Sequence, residues 1–177
     1  WSSDVCSSDL ALDDIFNTDA EIHGNLVDIT GLIGQYVHGN EPSHHIAYLY
    51  NYVGEPWKTQ KMSRRLLNEM YHPTPEGIIG NEDCGQMSAW YILSSMGLYS
   101  VCPGSNEYVL TTPLFEKVVV HLANGRTLTI LANDPQKNIY ITKVELNGKQ
   151  IDTNFITYDC LMRGGELRFT LSDKPNK

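Results

Sequence analysis

The sequence predicts an α+β protein in which helices come first and an antiparallel sheet follows. From Ala11 to Tyr99, apolar residues recur at helical spacing between prolines and glycines. From Tyr108 onward, short β-rich runs alternate with Asn-Gly and Gly-Gly turns. The two parts meet near Cys102-Pro-Gly104, so we expect a helical unit at 11–102 and a β unit at 103–177.

Composition excludes several functional classes. The 177 residues include 13 Lys and Arg against 21 Asp and Glu, and the net charge of −8 disfavours binding to nucleic-acid phosphates. No apolar run approaches the roughly 18 residues of a membrane-spanning helix. The cysteines Cys6, Cys84, Cys102 and Cys160 show no CxxC spacing, which disfavours a structural zinc site and a disulfide framework.

Residues 1–10 differ in character from the rest of the chain. They are rich in Ser and Asp, and they lack the helical spacing that begins at Ala11. The run from Val5 to Leu10 looks like the translation of a common sequencing adapter; a frayed native terminus is the alternative. We therefore expect a non-native segment at 1–10, and a chain cut from a longer protein.

Three helices are predicted in the helical unit. The first covers about 42–53, because a proline suits its first position and a glycine ends its apolar spacing. The second begins at Pro56 and ends at His72-Pro73. A loop rich in Gly and Pro, 73–85, separates it from a third helix over 86–98.

The β unit is predicted to consist of antiparallel hairpins in a small sheet or sandwich. Asn124-Gly125 and Asn147-Gly148 fit the two-residue turns that hairpins favour. No helix-length segment separates the runs, as a parallel crossover would require. The predicted strands lie near Tyr108–Thr111, Val118–Leu122, Thr127–Leu131, Ile139–Leu146, Phe155–Asp159 and Glu166–Leu171.

Two loops of the helical unit carry residues suited to chemistry. Helices joined by turns alternate in direction, so the first and third helices begin on one rim, where we expect Glu41 and Asp83 to converge. A helix N-terminus favours a carboxylate anion, which suits a general base, a hard-cation ligand or a sugar-hydroxyl acceptor better than a general acid. Helix capping is the competing interpretation, and the crowding of Asn, Gln and His in both loops weakens it.

The other candidate groups of the rim narrow the chemistry. His44 and His45 lie about 100° apart on a helix, so at most one points into a site with Glu41 and the other packs. Without an HExxH motif a zinc hydrolase is disfavoured, and the oxygen donors of both loops favour calcium over zinc. Several aromatic residues suit sugar stacking, although their helical spacing is more typical of a core: Tyr36, Tyr48, Trp57, Trp90 and Tyr91.

Three motifs occur in order along the helical unit. They are Gly31-Leu-Ile-Gly-Gln-Tyr-Val-His-Gly-Asn-Glu-Pro-Ser-His-His45, Pro56-Trp-Lys-Thr-Gln60 and Gly80-Asn-Glu-Asp-Cys-Gly-Gln-Met-Ser-Ala-Trp-Tyr91. Together they resemble glycoside hydrolase family 92, most closely between Asp28 and Phe115. The resemblance implies a calcium-dependent, exo-acting, inverting α-mannosidase that hydrolyses terminal α-mannosides of glycans, for example α-1,2-linked mannose. It also implies that the helices are the last ones of an (α/α)6 barrel.

By this resemblance, the third motif carries the catalytic residues. Asp83 takes the position of the general base that activates water, Asn81 stands where some relatives carry a second acid, and Glu82 lies between them. The general acid of the family is a Glu in a motif that residues 11–26 do not match. An inverting glycosidase needs both groups about 6.5–9.5 Å apart, so we expect the isolated chain to be inactive and to need the upstream part of its parent.

The resemblance further implies a binding pocket. Asn40, Glu41 and His44 belong to the motif that lines the calcium and sugar pocket, and His23 falls near the leaving-group subsite. Glu41 and Asp83 are the candidate calcium ligands. Mannose-containing glycans would be the partners, in the periplasm, at the cell surface or outside a bacterium.

Two other classes stay open at this point. A non-catalytic, calcium-dependent sugar-binding module would use the same acids without activating water. A glucosidase or phosphorylase on a similar helical barrel would act on glucosides or use phosphate.

Overall fold

The structure, a computed structural model, describes residues 2–20 and 29–176, and the side chains of 8–20 and 29–176. Helices precede two larger sheets, so the α+β class is confirmed. None of the described helices is both long enough and apolar enough to cross a membrane. The helices are α1 (Ser2–Asn17), α2 (Pro56–Glu69), α3 (Gln86–Ser95) and α4 (Tyr158–Met162), with two 3-10 helices at Glu41–Ser43 and Ile46–Asn51.

Every strand predicted from the sequence is present. The strands are β1 (Leu32–Ile33), β2 (Tyr36–Val37), β3 (Leu98–Tyr99), β4 (Glu107–Leu110), β5 (Lys117–His121), β6 (Thr127–Ala132), β7 (Tyr140–Leu146), β8 (Lys149–Ile151), β9 (Phe155–Thr157) and β10 (Gly165–Ser172). They form the hairpin β1-β2, a three-stranded sheet β3-β4-β9 and a five-stranded sheet β5-β6-β10-β7-β8. The unpredicted strands β1, β2, β3 and β8 have only two or three residues each, too few for a periodic signal.

The prediction of one helix over 42–53 is wrong in its type and continuity. Two 3-10 helices replace it, with turns at His44 and His45 between them. The amide of Asn51 donates to the carbonyl of Tyr48 at 3.2 Å, and side chains on several sides of the second 3-10 helix are buried. A helix buried on several sides takes its geometry from its neighbours rather than from its own propensity.

The second and third helices begin where the sequence predicts. Helix α2 starts at Pro56, a residue suited to a first helical turn. Helix α3 ends at Ser95, earlier than predicted, because Gly97 has a φ of +83° and turns the chain into β3. A Cβ atom at this glycine would lie 2.7 Å from the carbonyl oxygen of Thr111, so the turn requires glycine.

The expectation of purely antiparallel pairing is wrong for one pair of strands. Strand β10 pairs in parallel with β6 and antiparallel with β7. A parallel pair needs a crossover of a dozen or more residues. Here β7, β8, β9 and α4 form that crossover. The crossover is invisible to a search for a connecting helix because it is built mostly of strands.

Buried polar contacts join the helical unit to the β unit. Helix α2 lies against β7, where the Gln60 side-chain oxygen accepts from the Ile141 amide at 3.0 Å. The buried Arg64 guanidinium donates to the Pro113 carbonyl at 2.6 Å, and burial lowers its pKa to about 10. Hydrogen bonds of this kind fix the direction of approach as well as the contact, so α2 is held in one orientation on the sheet.

Helix α1 includes residues that the sequence predicts to be non-native. It begins at Ser2 rather than at Ala11. The ammonium of Lys58 contacts Asp9 at 2.9 Å and Asp13 at 2.6 Å, and Asp13 also accepts from the Tyr50 hydroxyl at 2.9 Å. The boundary between native and non-native residues at 10 stays a prediction.

Candidate active site

Two loops of the helical unit lie side by side and form the rim of the candidate site. The first rim loop is 38–45 and the second rim loop is 80–86. Gly80 has a φ of +73°, and a Cβ atom there would lie 2.8 Å from both the Cα and the carbonyl oxygen of Gly39. Only a glycine permits so close an approach of two backbones. The loops that carry Glu41 and Asp83 therefore meet at Gly39 and Gly80, and the convergence of the two carboxylates stays a prediction.

A strained turn leads from the second rim loop into α3. Asp83, Cys84 and Gly85 have φ angles of 51°, 54° and 96°, so three consecutive residues are left-handed. Each non-glycine residue in that conformation costs about 1–2 kcal/mol, and such strain is concentrated at functional sites. The amide of Gln86 donates to the Asp83 carbonyl at 3.1 Å and closes the turn.

The two acids of this turn have different surroundings. The exposed Glu82 carboxylate accepts from the amides of Gly85 at 2.5 Å and Ser88 at 3.3 Å. Hydrogen bonding to Ser88, and then to the Gly85 amide, lowers the pKa of Glu82. The Asp83 carboxylate is exposed and bonds to no side chain or amide of the described residues. The capping interpretation thus fits Glu82, and Asp83 is left accessible to a ligand.

His44, predicted as a sugar contact, is packed inside the protein with 1% of its surface exposed. Its Nε2 donates to the His38 carbonyl at 2.9 Å. The other ring nitrogen, Nδ1, is therefore an acceptor, and Gln86 Nε2 lies 3.3 Å from it. Burial lowers the pKa of His44, while the His38 carbonyl and the charge of Glu41 act in the opposite direction. Of the adjacent histidines, His44 is the one that packs, and it acts on the rim through its neighbours.

A second buried histidine, which the sequence analysis does not single out, joins the same loops. The Tyr71 hydroxyl donates to the Met87 carbonyl at 3.3 Å, so it accepts from His38 Nε2 at 2.9 Å. His38 Nδ1 then accepts from the Tyr36 hydroxyl at 2.8 Å. Burial, together with repulsion from His44, lowers the pKa of His38 to about 3. The signal in the sequence is the density of His and Tyr in the first motif, which exceeds what a simple turn requires.

The indole of Trp90 completes the connection between α3 and the first rim loop. Its Nε1 donates to the His44 carbonyl at 3.1 Å, and its ring lies edge-on to His38 with centroids 4.5 Å apart. Three residues of α3 therefore connect to the first rim loop. Gln86 and Trp90 bond to His44 directly, and the Met87 carbonyl bonds to Tyr71, the partner of His38. This network ties the start of α3, directly after the turn at Asp83, to the first rim loop.

The rim carries the type of oxygen donor that a hard cation binds, but fewer of them than calcium needs. Asn40 and Glu41 are half-buried, Asn81 and Asp83 are exposed, and none of these side chains bonds to another described residue. Calcium takes six to eight oxygen ligands. The described residues contain no group of three or more His, Cys, Asp or Glu that could hold a metal. The predicted leaving-group residue His23 lies outside the described residues.

The aromatic residues considered for sugar stacking divide between the core and the surface. Tyr36, Tyr48 and Trp90 are fully buried, as the core interpretation predicts, although Tyr36 lies in a strand rather than a helix. Trp57 and Tyr91 are partly exposed. The indole of Trp57 donates to the Glu55 carboxylate. Tyr91 lines an apolar groove of about 510 Å³ with Tyr71, Ile78 and Ile92. Of these five rings, Trp57 and Tyr91 are therefore the ones with exposed surface.

A strained acidic turn, beside a second loop of oxygen donors on a helical unit, defines a site suited to polyhydroxylated ligands. The model of the glycosyl hydrolase family 92 catalytic domain matches residues 8–173 of the chain. The chain therefore belongs to glycosyl hydrolase family 92, a family of glycosidases, and the resemblance of its motifs is confirmed.

Individual relatives agree with this assignment. A family 92 α-mannosidase of Bacteroides thetaiotaomicron, solved in complex with mannoimidazole, is 44% identical with a TM-score of 0.89, over 96% of this chain and 22% of that one. An inverting mannosidase of the same family and organism is 38% identical with a TM-score of 0.81, over 97% and 25%. An uncharacterized secreted glycosidase of Arthroderma benhamiae is 34% identical over 137 residues, 75% of this chain and 18% of the relative. The chain thus spans between 18% and 25% of the length of these relatives.

Proposed function

We propose that the chain is the C-terminal part of an inverting, calcium-dependent exo-α-mannosidase that removes terminal α-mannosides from glycans, for example α-1,2-linked mannose. The observation that carries the proposal is the exposed Asp83 carboxylate on a strained turn, held beside the Glu41 loop by buried hydrogen bonds. Support comes from similar proteins, one described as an inverting mannosidase and one bound to mannoimidazole. The helices would then complete an (α/α)6 barrel with the upstream part of the parent.

In this proposal Asp83 is the general base. Its carboxylate takes a proton from a water molecule, and the oxygen of that water forms a bond to the anomeric carbon as the glycosidic bond breaks on the opposite face. A general acid from the upstream part of the parent protonates the leaving oxygen. Asp83 suits this task because its oxygens accept no other hydrogen bond from the described residues. Glu82 supports the turn through the amides of Gly85 and Ser88, and Asn81, which precedes it, would contact the sugar.

Calcium would be held between the two rim loops. Glu41, with the amide oxygens of Asn40 and Asn81, offers the donor type that calcium prefers. Asp83 needs its lone pairs for water, so it is the less suitable ligand of the two acids. When bound, the ion supplies positive charge that binds sugar hydroxyls and favours a flattened ring. The remaining ligands would be sugar hydroxyls, water and residues of the upstream part.

The proposed setting is outside the cytoplasm. The relative from Arthroderma benhamiae is described as a secreted glycosidase. We therefore propose that the parent works in the periplasm, at the cell surface or in the medium.

The substitution Asp83→Asn in the full-length parent tests the assignment of the base. We expect kcat on an aryl α-mannoside to fall about 100- to 10,000-fold, the usual contribution of a general base, while the dissociation constant for mannoimidazole changes little. Asp134→Asn is the matched control, because Asp134 is also exposed and left-handed with a φ of 43° but lies in the β unit. Full activity of Asp83→Asn would reject Asp83 as the base.

The isolated 177-residue chain tests the need for an upstream acid. We expect no measurable turnover of the aryl α-mannoside, because half of the catalytic pair is missing. Turnover that Asp83→Asn abolishes would show that the chain holds its own proton donor. A parent that binds mannoimidazole but hydrolyses no mannoside would instead identify a calcium-dependent sugar-binding module.

A further inference from the structure

Gln86 combines exposure with an anchored side chain. It is the first residue of α3 and its side chain is exposed. Nevertheless, its amide nitrogen lies 3.3 Å from Nδ1 of His44, a residue that is 1% exposed. An exposed glutamine ordinarily samples many rotamers and loses conformational entropy when it is fixed. Here a buried ring from a loop 42 residues away holds it.

The direction of the Gln86 amide follows from its partners. His44 Nε2 carries the proton because it faces the His38 carbonyl at 2.9 Å, which only accepts. Nδ1 of neutral His44 therefore has only a lone pair, so the Gln86 group that faces it must be the NH2. The Oε1 atom and the second N–H of Gln86 remain, and no described residue bonds to either. Gln86 thus presents one acceptor and one donor at the rim, and its contact with the buried His44 ring sets their orientation.

Gln86 stands next to the proposed base. Its backbone amide donates to the Asp83 carbonyl at 3.1 Å across the left-handed turn. An acceptor and a donor on one planar amide match a pair of neighbouring sugar hydroxyls, each of which both donates and accepts. Neither group carries a charge, which suits a neutral, polyhydroxylated ligand.

We propose that Gln86 is a further sugar-contacting residue of the site and that His44 is the positioning residue that holds it. The proposal rests on the proposed function and deepens it. Gln86 binds hydroxyls of the mannose ring near Asp83. His44 does not touch the sugar; it accepts one N–H of Gln86 and leaves the outer edge of the amide for the ligand.

The first test is Gln86→Ala in the full-length parent. One lost hydrogen bond to an uncharged ligand corresponds to a change of about 3- to 10-fold, so we expect KM for an aryl α-mannoside and the dissociation constant for mannoimidazole to rise by that factor. The melting temperature should fall little, because the Gln86 side chain is exposed and water can replace its amide at Nδ1 of His44. Gln136→Ala is the matched control: this exposed glutamine of the β unit also donates its amide, to the Leu114 carbonyl at 3.1 Å, and we expect no change in binding.

Two substitutions of His44 test its positioning role. His44→Asn retains an acceptor near Nδ1, whereas His44→Gln retains a donor near Nε2 and loses the acceptor. We expect His44→Asn to keep a KM near that of the unaltered enzyme and His44→Gln to reproduce the raised KM of Gln86→Ala. The double variant His44→Gln, Gln86→Ala should bind no worse than either single variant, because residues acting through one contact are not additive.

The outcomes separate this inference from the proposed function. If Asp83→Asn abolishes turnover while Gln86→Ala leaves KM and mannoimidazole affinity unchanged, Gln86 is not a sugar contact and this inference is wrong. If Asp83→Asn is fully active, the proposed base is wrong. Additive effects of His44→Gln and Gln86→Ala on binding would reject His44 as the residue that positions Gln86.

Discussion

The helical unit and the β unit are stabilised by different kinds of core. The core under the rim contains hydrogen-bonded rings, whereas Leu128, Ile130, Val144, Leu167 and Phe169 fill the core of the β unit. Among the described residues, most buried polar and charged side chains belong to the helical unit: His38, His44, Asn51, Thr59, Gln60, Ser63, Arg64, Ser94 and Ser95. The other two, Thr111 and Thr112, lie near the start of the β unit.

This difference shows how one part of a chain can stabilise the fold while another part holds the candidate site in a defined geometry. Apolar side chains pack in many near-equivalent ways, so an aliphatic core stabilises the fold and tolerates exchange. A buried hydrogen-bonded network is satisfied in only one arrangement, and its members are costly to leave unpaired. The network of His38, Tyr71 and Met87 therefore fixes the arrangement of the rim loops, while the apolar core of the β unit stabilises the fold.

The largest effect on stability is expected in the β core. Phe169 lies in β10 and is 1% exposed, so Phe169→Ala should lower the free energy of unfolding by about 3–5 kcal/mol. Urea denaturation of the 177-residue chain measures this. The control Phe115→Ala removes a ring that is 46% exposed and should cost far less. Equal losses in the two variants would contradict the packed core described for this sheet.

Acidification should act on the helical unit instead. His38 has a pKa of about 3 in the folded protein, against an ordinary value of 6.5. Between these pH values the unfolded chain binds a proton at His38 that the folded chain does not. The free energy of unfolding therefore has its full value above pH 6.5 and falls as the pH is lowered from 6.5 toward 3. We expect a loss of about 2–3 kcal/mol between pH 7 and pH 4 from this residue.

Denaturation at a series of pH values checks this prediction. His38→Gln should flatten the pH dependence of the free energy of unfolding. His121→Gln, at an exposed position in β5, should leave the slope unchanged, and so should Phe169→Ala. If the free energy of unfolding of His38→Gln depends on pH as steeply as that of the unaltered chain, His38 is not the source of the acid sensitivity of the helical unit.

The smallest expected difference in stability is the one between two glycine variants, one of them at the seam between the rim loops. Gly80 and Gly104 have φ angles of +73° and +89°, so alanine at either position costs about 1–2 kcal/mol in backbone strain. Gly80→Ala should cost about 1–3 kcal/mol more, because its Cβ atom would meet Gly39 at 2.8 Å, whereas nothing lies within 4 Å of a Cβ atom at Gly104. Thermal unfolding of both variants gives the difference. Identical melting temperatures would mean that the loops do not touch.

The sequence predicted helices and strands correctly where the pattern that marks them extends over several residues. The strands of the β unit follow from alternation and Asn-Gly turns, and α2 follows from Pro56. The segment 42–53 was predicted in the wrong form because its geometry depends on burial around Tyr48 and Asn51. The capping role of Glu82 was missed because Glu82 and Asp83 are adjacent acids that only the φ angles of the turn distinguish.

The sequence by itself determined the family, the α+β class and the two loops that hold the candidate residues, because motifs and periodicity are written in neighbouring positions. Only the tertiary structure decided that β10 runs parallel to β6, that His44 faces inward and that Gln86 is held from below. Each of these depends on which groups lie opposite one another after tens of intervening residues. Hydrogen-bond direction and burial are properties of such pairs, and no single segment of the chain contains them.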